Sequence, residues 1–318
     1  MDTKNVTDMY DTVNFILFQH NYPNINFIET VPKYLTSITS DGFSNQGQFI
    51  TGYLESYRVS INNNRIKIHN SSLAKFINND NQQGMFLQTT RKALEKMSNA
   101  LKLDMDNAKV TRIDLGKNII TKHSPETYLP FLGDLKGYKR HESGEGLYYI
   151  NSLKQLVLYN KIKEQKAKRQ ELQPIFKNHN LLRYEIRLLN HLENQLNENL
   201  VNGKLLYNEE FYTKVVKLWK DLYFNIAKRS SKTSIIPPTT STKELASILS
   251  AFAISEIGDS SLLNMVANWQ EQGLVTKKQA SDLRKFIRET VKQKMKESGN
   301  EFIEELDKKI KDSVRFFV

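Results

Sequence analysis

Over residues 9–19 the apolar side chains Val13, Phe15 and Leu17 alternate with less apolar neighbours, a period of two that predicts a β-strand. The same period returns over 48–61 and 65–68, two strands joined through Asn62, Asn63 and Asn64, which tolerate the left-handed backbone of a hairpin turn. The Pro- and Ser-punctuated stretch before them reads as a loop. Over 85–102 the period lengthens. Phe86, Leu94, Met97 and Leu101 fall near helical spacing, so this segment should be an amphipathic helix lying on the sheet. Alternation resumes at 109–115. A loop of Gly, Pro and mixed charge then runs to Gly146, and strands follow at 147–150 and 155–160, joined by a short turn at 151–154. Residues 161–170 hold five Lys or Arg and read as a solvated helix. A strand at 181–189 and a long amphipathic helix at 207–228, carrying Phe211, Val215, Leu218, Trp219 and Leu222, complete the mixed region.

From 228 to 242 the composition turns to Ser, Thr and Pro, and Pro237–Pro238 can enter neither a helix interior nor a central strand. Beyond it the pattern is helical throughout, near 243–256, over 261–272 ending at Gly273, and over 277–297 opening on a capping box of Thr276 and Gln279. The expected organisation is a first domain over 1–228, a linker over 229–242 and a helical module over 243–318. The expected fold class is α+β: an antiparallel or mixed sheet with packed helices, followed by a small α-helical C-terminal module.

With 39% hydrophobic residues in 318, the chain can bury a sizeable core, and no apolar run approaches the roughly 18 to 20 residues that cross a bilayer. The first thirty residues lack a basic start followed by an apolar stretch, so a cytoplasmic protein without membrane association is expected. Zero cysteines exclude disulfides, thiol nucleophiles, iron–sulfur clusters and Cys-containing zinc sites. Any metal must sit on oxygen or imidazole, and the six histidines form no close pair with ligand spacing. No phosphate-cradling G-x-x-x-x-G-K-[ST] is present, which disfavours P-loop ATP hydrolysis. Lys and Arg number 46 against 35 Asp and Glu, a net charge of +11 that suits a nucleic-acid partner.

Three of the expected strands carry chemistry on one face. Arg112 and Asp114 oppose Ile113 and Leu115; Tyr159 opposes Leu156 and Leu158, with Lys161 continuing its face if the strand extends that far; Arg183, Glu185 and Arg187 oppose Leu182, Tyr184, Ile186 and Leu188. If these strands are neighbours, one sheet face holds what phosphodiester cleavage needs. A tyrosine hydroxyl can attack phosphorus and become covalently linked, a nearby cation such as Lys161 favours its phenolate, and Asp114 with Glu185 could hold Mg²⁺ or Mn²⁺ through hard oxygen ligands. The arginines Arg112, Arg183 and Arg187, and the basic run Lys163, Lys166, Lys168 and Arg169, are candidate contacts to the phosphates of DNA. The same alternation also describes an antiparallel sheet with one wet face, whose charges pair across strands. Tyr148 and Tyr149 fit sheet packing, and Glu142 and Glu145 a surface loop.

In order along the chain, R-I-D at 112–114, Y-x-K-x-x-E at Tyr159, Lys161 and Glu164, and R-[YF]-E-x-R at 183–187 resemble the motifs of the filamentous-phage gene-two type replication initiators and the related plasmid replication endonucleases. SLAKFINNDN at 72–81 also resembles a feature of that family, and the resemblance spans roughly 9–228. It implies a rolling-circle initiator that nicks one strand of origin DNA, single-stranded or supercoiled duplex, and stays attached through a 5′-phosphotyrosine. A 3′-hydroxyl is left for a polymerase, with host helicase and polymerase as partners, and later religation closes the circle. The resemblance places the nucleophile at Tyr159, adds Lys161 and Glu164 to the site, and supports Asp114 and Glu185 as ligands. Two alternatives stay open at this point, a mobilisation relaxase acting at a transfer origin and a non-catalytic DNA-binding replication regulator.

Overall fold

The computed structural model describes residues 9–45, 47–78, 87–144, 146–171, 174–229, 259–296 and 301–315, with isolated positions between 246 and 257. Ten strands among these residues join one sheet in which every pairing is antiparallel: β1 (Tyr10–Phe18), β2 (Ser37–Ser44), β3 (Gly47–Leu54), β4 (Tyr57–Asn62), β5 (Arg65–His69), β6 (Lys109–Thr121), β7 (Lys139–Ser143), β8 (Gly146–Ile150), β9 (Lys154–Asn160) and β10 (Asn180–Leu188). Their order across the sheet is β2-β3-β4-β5-β1-β6-β10-β9-β8-β7, so β1, β6 and β10 lie in the interior of the sheet. The α-helices whose bounds lie among the described residues are α1 (Phe27–Thr30), α2 (Leu73–Asn78), α3 (Leu87–Leu101), α4 (Lys161–Ala167), α5 (Leu192–Leu196), α6 (Glu209–Phe224), α7 (Asp259–Glu271), α8 (Lys277–Lys296) and α9 (Glu301–Ser313). The expected mixture of helices and antiparallel sheet, with helices at the C-terminal end, is what the chain forms.

The core follows from the alternation. Leu182, Tyr184, Ile186 and Leu188 of β10 and Ile113 and Leu115 of β6 are wholly buried. Helix α6 packs there: the Tyr184 and Trp219 rings lie 4.6 Å apart, and the Tyr184 hydroxyl donates to the Trp219 carbonyl at 3.1 Å. Asn208 caps α6 by accepting from the Phe211 amide at 2.9 Å, which starts the helix at Glu209 rather than 207.

Other boundaries also differ from the expectations. The stretch 48–61 is two strands, broken where Glu55 turns left-handed (φ 52°) and Leu54 pairs with Tyr57. The loops expected before 48 and before 146 contain β2 and β7, the two edge strands, whose residues are mostly exposed and therefore lack apolar alternation. Strand β6 runs on to Thr121. The basic helix at 161–170 is not solvated all round, because α4 buries Lys161 and Gln165. Phe86, Glu145, residues 230–242 of the expected linker and most of 243–256 lie outside the described residues.

Packing divides the chain into two units. The first holds the sheet and its helices; the described residues from Asp307 onward group with it, Asp307 accepting from the Tyr223 hydroxyl at 2.7 Å, although the sequence pattern assigned all of 243–318 to one module. The second comprises 130–133 and 228–306. Its α7 and α8 share a small core of Val266, Ala280 and Ile287 with Leu262, Leu263, Trp269 and Leu283 against it. The capping box at the start of α8 is formed, Thr276 N–H donating to Gln279 Oε1 at 2.9 Å and Gln279 N–H to Thr276 Oγ1 at 3.3 Å.

Candidate functional site

Strands β6, β10 and β9 are neighbours, and their register sets Arg187 opposite Asp114 and Arg183 opposite Tyr159. The polar residues of all three therefore share one face, opposite the side that packs on α6. They are knitted by charge-assisted hydrogen bonds. Arg112 grips Asp114 with two nitrogens, at 2.8 and 2.6 Å. Glu185 accepts from Arg187 Nε at 2.7 Å and from Arg183 Nε at 3.2 Å. Arg183 reaches Asn118 at 3.1 Å with a second nitrogen and Asp11 of β1 with the third. Gly116 makes room for it, since a Cβ there would stand within 3.0 Å of the Arg183 guanidinium.

Asp11 joins the network because β1 is bulged. The register shifts between Tyr10 and Val13, so both of these bury their side chains while Asp11 and Thr12 turn to the other face. Strict alternation would have put Asp11 with Val13 and Phe15, and sequence reading missed it for that reason. The turn after β5 and the start of α2 add Asn70, Ser71, Ser72 and Lys75. With Asp11, Thr12, Arg112, Asp114, Tyr159, Lys161, Glu164, Lys168, Gln170, Glu171, Glu185 and Arg187, they line a cleft of about 550 Å³. Lys75 and Ser72 belong to the SLAKFINNDN segment, which the sequence marks only as a family feature and does not place at the site.

At the end of β9 the chain passes directly into α4, with Asn160 as the joint. Its side chain caps the helix by accepting from the amides of Ile162 and Lys163 at 3.0 and 3.2 Å. Lys161 is thus the first residue of α4 rather than a continuation of the strand, and still lines the cleft. Its ammonium meets Glu164 at 2.8 Å, and Glu164 also pairs with Lys168.

Burial governs the ionisation of the site. It raises the Tyr159 hydroxyl well above the usual phenol range; Arg183 opposes the rise, while Glu185, Glu164 and Asp11 add to it. Burial, followed by the charge of Arg183, makes the Lys161 ammonium more acidic than usual despite its bond to Glu164. Asp114 is pushed up to about 7, chiefly by burial and also by the charge of Glu185, with Arg112 pulling the other way. Burial acts on Glu185 too, but Arg183 and Arg187 outweigh it and hold that carboxylate below its ordinary value.

Not every candidate reaches the cleft. Lys163 points to Glu126, 2.7 Å away, and Lys166 and Arg169 are exposed and absent from the lining. Arg183, expected on DNA phosphate, is only 4% exposed with each guanidinium nitrogen occupied, so it braces the site from within. Glu142 pairs with Arg140 on the edge strand β7, and Tyr149 is buried in the sheet. Among the described residues no group of three or more His, Cys, Asp or Glu could hold a metal ion alone. Asp114 and Glu185, each of whose oxygens already accepts from an arginine, are the neighbouring carboxylates whose mutual repulsion a divalent cation would relieve. Mg²⁺ and Mn²⁺ are the ions such a pair could hold, since they commonly complete their shells with water and substrate oxygens.

A family model for the N-terminal part of a phage replication-associated protein matches residues 9–214, well over half of the chain and all of the strands and helices that line the cleft. No curated protein matches the sequence.

Proposed function

The chain belongs to the family of phage replication-associated proteins that this model describes, and on that premise we propose that it initiates rolling-circle replication by nicking one strand of origin DNA through Tyr159. The observation that carries the reading is the convergence of Tyr159, Lys161 and Glu164 with Arg112, Asp114, Glu185 and Arg187 on one cleft. Arg112 and Arg187, about 30% exposed at their side chains, are the guanidiniums that receive the phosphate, and Lys75 and Lys168 extend the positive lining. A cation held by Asp114 and Glu185 would supply charge neutralisation at the phosphoryl oxygens.

Tyr159 Oη forms a bond to phosphorus while the bond to the 3′-oxygen breaks. The phenolic proton passes to a carboxylate of the cleft, and the leaving 3′-oxygen takes a proton from Lys161, whose ammonium burial has made acidic. Because the resting tyrosine is neutral, its proton leaves only as the phosphodiester arrives. Glu164 holds Lys161 in place. Religation is the reverse, with a 3′-hydroxyl attacking the phosphotyrosine. The freed 3′-hydroxyl is the primer for a host polymerase, with a host helicase displacing the strand in the cytoplasm. No helix among the described residues is long and apolar enough to cross a membrane.

The test is incubation with supercoiled DNA of the native replicon in Mg²⁺ or Mn²⁺. Open circles and a protein–DNA adduct stable in denaturant are expected; nicking without an adduct would exclude the tyrosine mechanism.

A pH dependence follows from Asp114, which must be ionised to ligate. Mn²⁺ binding is expected to weaken as pH falls through about 7 and to release a proton per ion at about pH 6. Without an ion the folded state holds this proton more tightly than the unfolded chain, so the group's contribution to stability declines between about pH 4 and 7. Calorimetry in two buffers of different protonation enthalpy counts the protons, and none released at the acid end would remove Asp114 from the ligand set.

A further inference from the structure

Helix α8 lies beyond the residues matched by the family and concentrates the charge of the chain. It carries eight Lys or Arg and two acids in twenty residues, whereas α7 holds two acids and no base. The charges have a side. Ala280, Leu283 and Ile287 face α7 and are used in the core of the second unit. At helical spacing Lys277, Lys278, Ser281, Lys285 and Arg288 fall on one flank of that seam and are exposed, with Arg284 half-buried at its inner border, where it donates to Gln270 at 2.9 Å, and Asp282 and Glu289 along its outer border. Ser281, Arg284, Lys285, Arg288 and Glu289 line a shallow hollow of about 420 Å³ along this ridge.

This arrangement costs the isolated helix stability. Lys277 and Lys278 occupy its first turn, where the helix dipole disfavours cations, and Arg284 and Arg288 repel at i,i+4 spacing. The acids give little relief, the Lys285–Glu289 pair being 3.9 Å apart and exposed. A polyanion relieves all of these costs at once. An anionic membrane is the poorer fit, because a helix that lies in an interface needs its apolar face free, and α7 covers that face. A single strand is also poorer, because stacking needs aromatics within the basic groove, and Phe286 lies off the ridge. A helix of about 30 Å with one cationic side suits the paired phosphate rows of a duplex.

We propose that α8 is a second, sequence-independent DNA contact, which holds duplex phosphates separately from the cleft around Tyr159. The reading does not rest on the nicking mechanism, since a chain with no strand-cleaving activity would still bind through this ridge. The experiment compares the full chain with its Lys278→Gln/Lys285→Gln/Arg288→Gln form on a 30-base-pair duplex lacking the origin, across a salt series. Removing three phosphate contacts should lower the slope of log affinity against log salt by about 2 to 3 and weaken binding at low salt at least about tenfold. Nicking of a single-stranded origin oligonucleotide should be unchanged, which separates this result from failure of the cleft. An unchanged slope in a variant with wild-type circular dichroism would overturn the proposal, as would a loss confined to binding of anionic phospholipid vesicles or of a single-stranded oligonucleotide.

Discussion

Tyr159→Phe is expected to abolish both the nick and the covalent adduct, with a loss on the order of 10⁶-fold, the scale on which removal of a covalent nucleophile acts in other enzymes. The substitution keeps the ring, its place opposite Arg183 and Gly146, and the cleft wall; only the attacking oxygen goes. DNA binding should therefore persist, because Arg112, Arg187, Lys75 and Lys168 are untouched. Gel analysis of supercoiled substrate after denaturing quench reads nick and adduct together. Residual nicking at more than about one part in a thousand of the wild-type rate would show that another oxygen attacks, since a general acid–base contribution alone is worth no more than about 10²–10⁴.

Arg183→Met should have the largest effect on stability. Its side chain is buried against Asp11, Glu185 and Asn118, and removing it leaves two carboxylates inside the sheet without their shared cation. Breaking a buried ionic network in this way typically costs about 3 to 5 kcal/mol, whereas the intact network adds little net stability over an apolar core. Arg183→Lys keeps the charge but not the three-way fork, so it should lie between. Gly116→Ala approaches the same point from the neighbouring strand, since its methyl would occupy the space of the guanidinium, at a cost of about 1 to 3 kcal/mol. Denaturant unfolding of the three variants gives the order Met worst, and a loss below about 1 kcal/mol for Arg183→Met would mean that water had replaced the network.

How much of this was legible in advance depended on alternation. Strands β1, β8, β9 and β10 announce themselves because each sets most of its apolar residues on one face, and the same period placed Asp114, Glu185, Arg187 and Tyr159 on a shared side. The edge strands β2 and β7 bury almost nothing and so leave no periodic trace. Residue 55 gives no warning of the left-handed turn that splits β3 from β4, because Glu rarely adopts it. Asp11 escaped because a bulge inverts the parity of β1 within two residues. Arg183 looked like a phosphate ligand because residue type and strand face were all that could be read; its burial depends on Asp11 and Gly116, which arrive from two other strands.

The tyrosine sits in a strand bonded on both sides, to β8 and β10, rather than on a loop. Gly146 presses so close that a Cβ there would come within 2.9 Å of the Tyr159 Cβ. For a covalently attached DNA end this is a mooring with very little slack. On the proposed mechanism the severed strand would keep its coordinates while the other end travels around the circle, so rejoining would need only one end to find its way back.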